Sequence, residues 1–143
     1  MKTFKTPREY LNSELKRVKK HKSKLVAEEF VKKIEQQKFK CCYCDTDIRL
    51  IQALIDKKIL KERTIGNGFR GYNLEVEHID NSSKNLNKPS NIAAVCYFCN
   101  NDKSNNIDHL TFKEYFGKQK GIAFKELAKK EKVIANSNFK GRH

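Results

Sequence analysis

The residues of this chain best suited to chemistry are four paired cysteines, an acid–histidine pair and an asparagine–lysine pair. Cys41 and Cys44 form one Cys-x-x-Cys unit, and Cys96 and Cys99 form a second. A two-residue gap lets adjacent thiolates grip one tetrahedral zinc, and a site closed by four thiolates is structural rather than catalytic. Cys42 with Cys44 would leave one residue between, a poor gap for a knuckle, so Cys42 is expected to be a free thiol. Glu77 and His78 set a carboxylate beside an imidazole. Histidine titrates near neutrality, so a neutral His78 could take a proton from water as a general base. Asn100 and Lys103 are three residues apart and share a face on a helical turn. A hard ion such as Mg²⁺ prefers oxygen ligands and keeps several waters, and Glu77 and Asn100 both offer a side-chain oxygen.

Positioning falls to the elements around these residues. Leu74, Val76 and His78 alternate with Glu75, Glu77 and Ile79, which predicts a strand. In a regular strand Glu77 and His78 point to opposite faces, whereas a bent strand end would let both reach one phosphate. Ile92 to Val95 reads as a short apolar strand running into the second knuckle. The polar stretch from Asp80 to Asn91 has turn chemistry and no apolar period. Asn85 and Asn87 read there as turn or solvent residues.

Together Cys41-x-x-Cys44, Glu77-His78-Ile79, Asn91 and Cys96-x-x-Cys99-Asn100-x-x-Lys103 resemble the HNH endonuclease family. The match spans about half the chain, in the family's order and approximate spacing. Two positions depart from the usual signature. Glu77 stands where the family commonly has Asp, and Asn100 occupies the third signature position, as in the Asn-bearing variants. The resemblance implies an α+β fold with a small ββα-metal, treble-clef-like core stapled by structural zinc and flanked by N- and C-terminal helices. It implies hydrolysis of DNA phosphodiester bonds with one catalytic Mg²⁺ or Mn²⁺ held by Glu77 and Asn100, leaving a 5′-phosphate. It gives His78 the role of base and Asn91 that of orienting His78 through backbone contacts. Lys103 would hold a phosphate as a point charge. The rival expectation is a non-catalytic zinc-stapled module that binds DNA or RNA.

The flanks carry most of the charge. The 143 residues have a net charge of +14 and are 34% charged, which suits a polyanion. DNA is the expected partner, with RNA as the alternative. Mean hydropathy is −0.79, so the core must be small, and small cores commonly need a staple. No apolar run approaches the ~20 residues needed to span a bilayer, so no membrane role is expected. An odd cysteine count and an N-terminus without an apolar signal region point to a reduced, cytoplasmic setting.

Residues 1–38 read as a basic helical extension. Thr6-Pro7-Arg8-Glu9 is a helix start, and His21-Lys22-Ser23 breaks the pattern before a second helix with Val26, Phe30 and Ile34 in one stripe. Lys16, Arg17, Lys19 and Lys20 either form a solvated face or grip DNA. Residues 39–116 form the expected nuclease core, with a helical insertion at about 47–61 capped from Asp45-Thr46-Asp47. Arg63 to Gly71 reads as a tight connection in which Arg70 could touch the DNA backbone. A capping box at Thr111 and a stop at Gly117 bound a helix carrying Phe112, Tyr115 and Phe116. His109 reads as a surface residue. Residues 117–143 are expected to hold a last helix near Ala123–Ala135, with Leu127 and Ile134 among its apolar positions, and a frayed tail.

Overall fold

Thr6 caps the first helix, accepting a hydrogen bond at Oγ1 from the Glu9 amide, with Pro7 at the first helical position. The computed structural model describes residues 1–66, 68–82, 84–85 and 88–142; Asn87, assigned above to the loop, and His143 in the tail lie outside them. Helix α1 spans Pro7–Lys19, and α2 spans Lys24–Gln36 after an N-cap at Ser23. Val26, Ala27, Phe30 and Ile34 are buried along one stripe of α2, as the spacing predicts. Helix α3, Ile48–Asp56, starts from Asp47 and buries Ile48, Ile51 and Leu54.

The strands form three antiparallel pairs among the described residues. β1 (Lys2–Phe4) pairs with β6 (Phe139–Gly141), β2 (Arg63–Ile65) with β3 (Gly68–Arg70), and β4 (Leu74–His78) with β5 (Ile92–Cys96). The β5 strand is buried along its whole length and runs directly into α4 (Tyr97–Lys103). One buried cluster joins α1, α2, α3, β5 and Phe139, so the N-terminal helices belong to the core. Gln37 adds a polar tie, donating to the Ala94 carbonyl and accepting from its amide.

Four expectations at the C-terminus are corrected. Asp108, not Thr111, caps the helix that begins at α5 (His109–Thr111). Gly117 does not stop that helix, which widens into a π turn over Phe112–Gly117 and continues as α6 (Lys118–Lys130). A Cβ on Gly117 would lie 2.7 Å from the Tyr43 carbonyl carbon, and one on Gly121 would lie 3.2 Å from that of Cys44. The two glycines, one turn apart, let the helix backbone rest directly on the first knuckle. The helix ends at Lys130, short of Ala135, with Ile134 exposed and Leu127 half-buried. The tail is not frayed, because Phe139 is buried in stacking contact with Tyr10 at 4.6 Å, and this holds β6 against β1.

Candidate functional site

The two knuckles meet at a buried cluster. The Sγ atoms of Cys41, Cys44, Cys96 and Cys99 all lie within 4.8 Å of one another, with Cys44 and Cys96 at 3.9 Å. Tetrahedral zinc with Zn–S bonds of about 2.3 Å requires sulfurs about 3.8 Å apart, so the donor set fits that ion. Local hydrogen bonds shape both pairs. The Asp45 amide donates to the Cys41 carbonyl, and the Cys99 amide donates to Cys96 Sγ at the start of α4. Hydrogen bonding from Cys41 and its neighbours pulls the Cys44 thiol far down, while burial pushes Cys96 far up. Four thiolates cannot share such a space without a cation, and a structural zinc is compatible with this donor set. Cys42 stands outside the cluster, half-buried, with its amide donating to Ala94.

Strand β4 faces helix α4 in two rungs. Glu75 and Glu77 share a face by strand alternation, and Asn100 and Lys103 share one by helical spacing. Asn100 Nδ2 donates to Glu75 Oε1 at 2.9 Å, and Lys103 Nζ lies 3.8 Å from Glu77 Oε2. Glu77 is only 6% exposed and Lys103 1%. Burial pushes the Glu77 carboxyl above its ordinary value, opposed by the Lys103 charge. Glu77 Oε2 is buried and makes no hydrogen bond. A carboxylate oxygen free of hydrogen bonds is a donor suited to a hard divalent ion, and Asn100, on the same helix face as Lys103, carries a side-chain oxygen. Asn100 itself meets Glu75, which sequence reasoning did not single out; its place two residues before Glu77 was the available signal.

Pairing of β4 with β5 continues through His78 opposite Ile92 with no bulge, so Glu77 and His78 alternate across the strand and the bend expected at its end is not present in this register. His78 is half-buried at the mouth of the following loop. Asn91 fixes that loop. Its Oδ1 accepts from the Asp80 amide at 2.8 Å, and its Nδ2 donates to the carbonyls of Asp80 and Asn85. Its own carbonyl accepts from the Ile79 amide at 3.0 Å. The residue after His78 and the one after that are thus both tied to Asn91.

The other candidates separate by direction. Lys16, Lys19 and Lys20 are exposed on α1. Arg17 turns inward, bonded to buried Glu14 and to the Leu74 carbonyl. Arg70 is engaged by Glu75 at 2.7 Å and lies over the Tyr97 ring. Lys103 points its charge at Glu77 rather than at solvent. His109, read as a surface residue, is half-buried, with Nδ1 2.9 Å from the Tyr43 hydroxyl.

Among the described residues no helix is long and apolar enough to cross a membrane. No protein-family model, curated protein or solved structure matches the chain.

Proposed function

We propose that this chain is a metal-dependent endonuclease of the HNH type that hydrolyses DNA phosphodiester bonds. The β4–β5–α4 unit, which carries Cys96 and Cys99, would be its ββα-metal core. The observation that supports the reading is the buried Glu77 oxygen that makes no hydrogen bond among the described residues, on the strand that ends in His78 and 3.8 Å from Lys103. Glu77 and Asn100 would hold Mg²⁺ or Mn²⁺. Such an ion, when bound, offers positive charge to phosphate oxygens and lowers the cost of the pentavalent transition state.

The chain's own residues do the rest. His78 takes a proton from the attacking water at an imidazole nitrogen. Asn91 holds the backbone on the C-terminal side of His78, which limits where the ring can point. Lys103 balances the Glu77 charge in a dry setting, where an isolated carboxylate would otherwise stay protonated. Exposed Lys16, Lys19 and Lys20 supply sequence-independent attraction to the phosphate backbone.

One observation favours a second reading, a zinc-stapled module that binds DNA or RNA without cutting it. The Glu77–Lys103 pair is also a complete, neutral, buried ion pair that needs no metal. Incubation of supercoiled plasmid with purified protein separates the two. The nuclease reading expects nicking with Mg²⁺ or Mn²⁺ that EDTA abolishes. Binding without cleavage under every divalent ion tried would establish the module instead.

A further inference from the structure

The β2–β3 hairpin carries its apolar side chains outside the core. Thr64 pairs with Phe69 and Ile65 with Gly68, and Ile65 and Phe69 are 44% and 49% exposed. An isolated two-stranded hairpin is marginal in water, so something else must hold it. Three contacts do. The Arg142 guanidinium lies 4.4 Å from the centre of the Phe69 ring, Arg70 binds Glu75, and Arg63 reaches Asn101 Oδ1 at 3.4 Å. The last two anchor the hairpin to the strand and helix that carry the candidate catalytic residues.

A surface cleft runs from this hairpin to the candidate site. Its outer stretch is bordered by Lys20, His21, Phe69 and Arg142, and its inner stretch by His21, Lys22, Glu75 and Asn100. Arg17 and His21 border both stretches, so the two adjoin. Its border carries five cations, Arg17, Lys20, Lys22, Arg70 and Arg142, against Glu75 alone; the three arginines are paired with Glu14, Glu75 and Glu62, which leaves Lys20 and Lys22 to meet a ligand's charge. Phe69 has the Arg142 cation over its ring and about half of its surface exposed. Cations in a row suit a phosphate backbone, and a half-exposed aromatic ring suits an unstacked base. Duplex DNA hides its base faces, whereas an unpaired strand offers both groups at once.

We propose that this cleft binds one unpaired strand of nucleic acid, with a base stacked on Phe69 and the backbone following Lys20 and Lys22 toward Asn100. The site deepens the nuclease reading and rests on it only for the destination of the strand. A substrate with an unpaired segment next to the scissile bond is the class it selects.

The test uses the full chain with no Mg²⁺ or Mn²⁺ added and no chelator, so that cleavage plays no part and the cysteine site stays intact. Fluorescence anisotropy measures binding of a labelled oligo-dT strand, an oligo-rU strand and a matched duplex. Base–aromatic stacking predicts that Phe69→Leu, which keeps the hairpin's apolar bulk, weakens single-strand binding about 5- to 150-fold. The duplex should be little affected, and the salt dependence unchanged, because leucine and phenylalanine carry the same charge. Phe69→Trp should bind the single strand at least as tightly as the parent. Lys20→Gln with Lys22→Gln should instead flatten the single-strand salt slope by about 1.4. Comparison of the dT and rU arms assigns the strand as DNA or RNA. Unchanged single-strand affinity in Phe69→Leu, or equal losses for strand and duplex, overturns the proposal. A parent that binds strands through Phe69 but cleaves nothing with Mg²⁺ removes the nuclease reading and leaves this site standing.

Discussion

Replacing Gly117 with Ala should destabilise the protein, against the ordinary rule for helices. Alanine is favoured over glycine in a helix interior by about 1 kcal/mol. Here the new methyl would meet the Tyr43 carbonyl carbon at 2.7 Å and its Cβ at 3.1 Å, where ordinary contacts fall at 3.4–4 Å. The obstacle is main chain in a metal knuckle, which cannot swing aside like a flexible side chain. Overpacking of this kind costs about 1–3 kcal/mol, and backbone against backbone belongs at the upper end. Subtracting the propensity gain leaves a net loss of about 1–2 kcal/mol. At this chain length that lowers the melting temperature by about 2–8 °C. Because the shifted segment lies between Cys41 and Cys44, zinc should also pass to a chromogenic chelator faster than from the parent. Gly121→Ala should behave likewise, and Lys125→Ala, on the exposed face, should be neutral. Circular dichroism melts and a zinc-release assay read both effects. If Gly117→Ala and Gly121→Ala melt at or above the parent temperature, the helix does not rest on the knuckle.

Purified protein should contain about one zinc per chain, lost with the fold in Cys41→Ser and Cys99→Ser, while Cys42→Ser keeps its metal; elemental analysis with melting curves decides, and equal tolerance at all five cysteines would reject the site. Asn91→Ala removes three side-chain hydrogen bonds to Asp80 and Asn85, so it should cost about 1–3 kcal/mol and speed amide exchange after His78, whereas parental exchange there would show that Asn91 is not the anchor. Burial, then the charges of Lys113 and Lys103, lowers the His109 pKa from 6.5. A group depressed on folding leaves stability intact above pH 6.5 and loses it as pH falls through the folded value. His109→Gln should therefore flatten the acid limb of a melting-temperature profile, and parallel curves for parent and variant would contradict the assignment.

Local signals made much of this fold legible. The Thr6 cap, the Ser23 break and the Phe30–Ile34 stripe are written within single turns, and all three stand as the sequence implies. The cysteine spacing foretold a cluster because two short gaps leave the sulfurs few other arrangements. What the sequence hid depends on distant partners. Gly117 looks like a helix stop until the Tyr43 carbonyl is seen beneath it. Phe139 sits in a polar tail, and only its stack on Tyr10 reveals a strand. Arg17 lies in a run of lysines but turns to Glu14 and Leu74, fifty-seven positions on, a contact no local pattern encodes. The same limit applies to Lys103, placed correctly on the Asn100 face but aimed at Glu77.

Cleavage by a single variant tests the central claim most directly. His78→Ala alters neither the four cysteines nor Glu77, so its melting temperature, zinc content and DNA affinity should match the parent. General-base catalysis is worth about 10²–10⁴-fold in rate. Mg²⁺-dependent plasmid nicking by His78→Ala should therefore fall by that factor while binding persists. Parental nicking by His78→Ala would contradict the mechanism and leave His78 as a packed histidine at the end of β4.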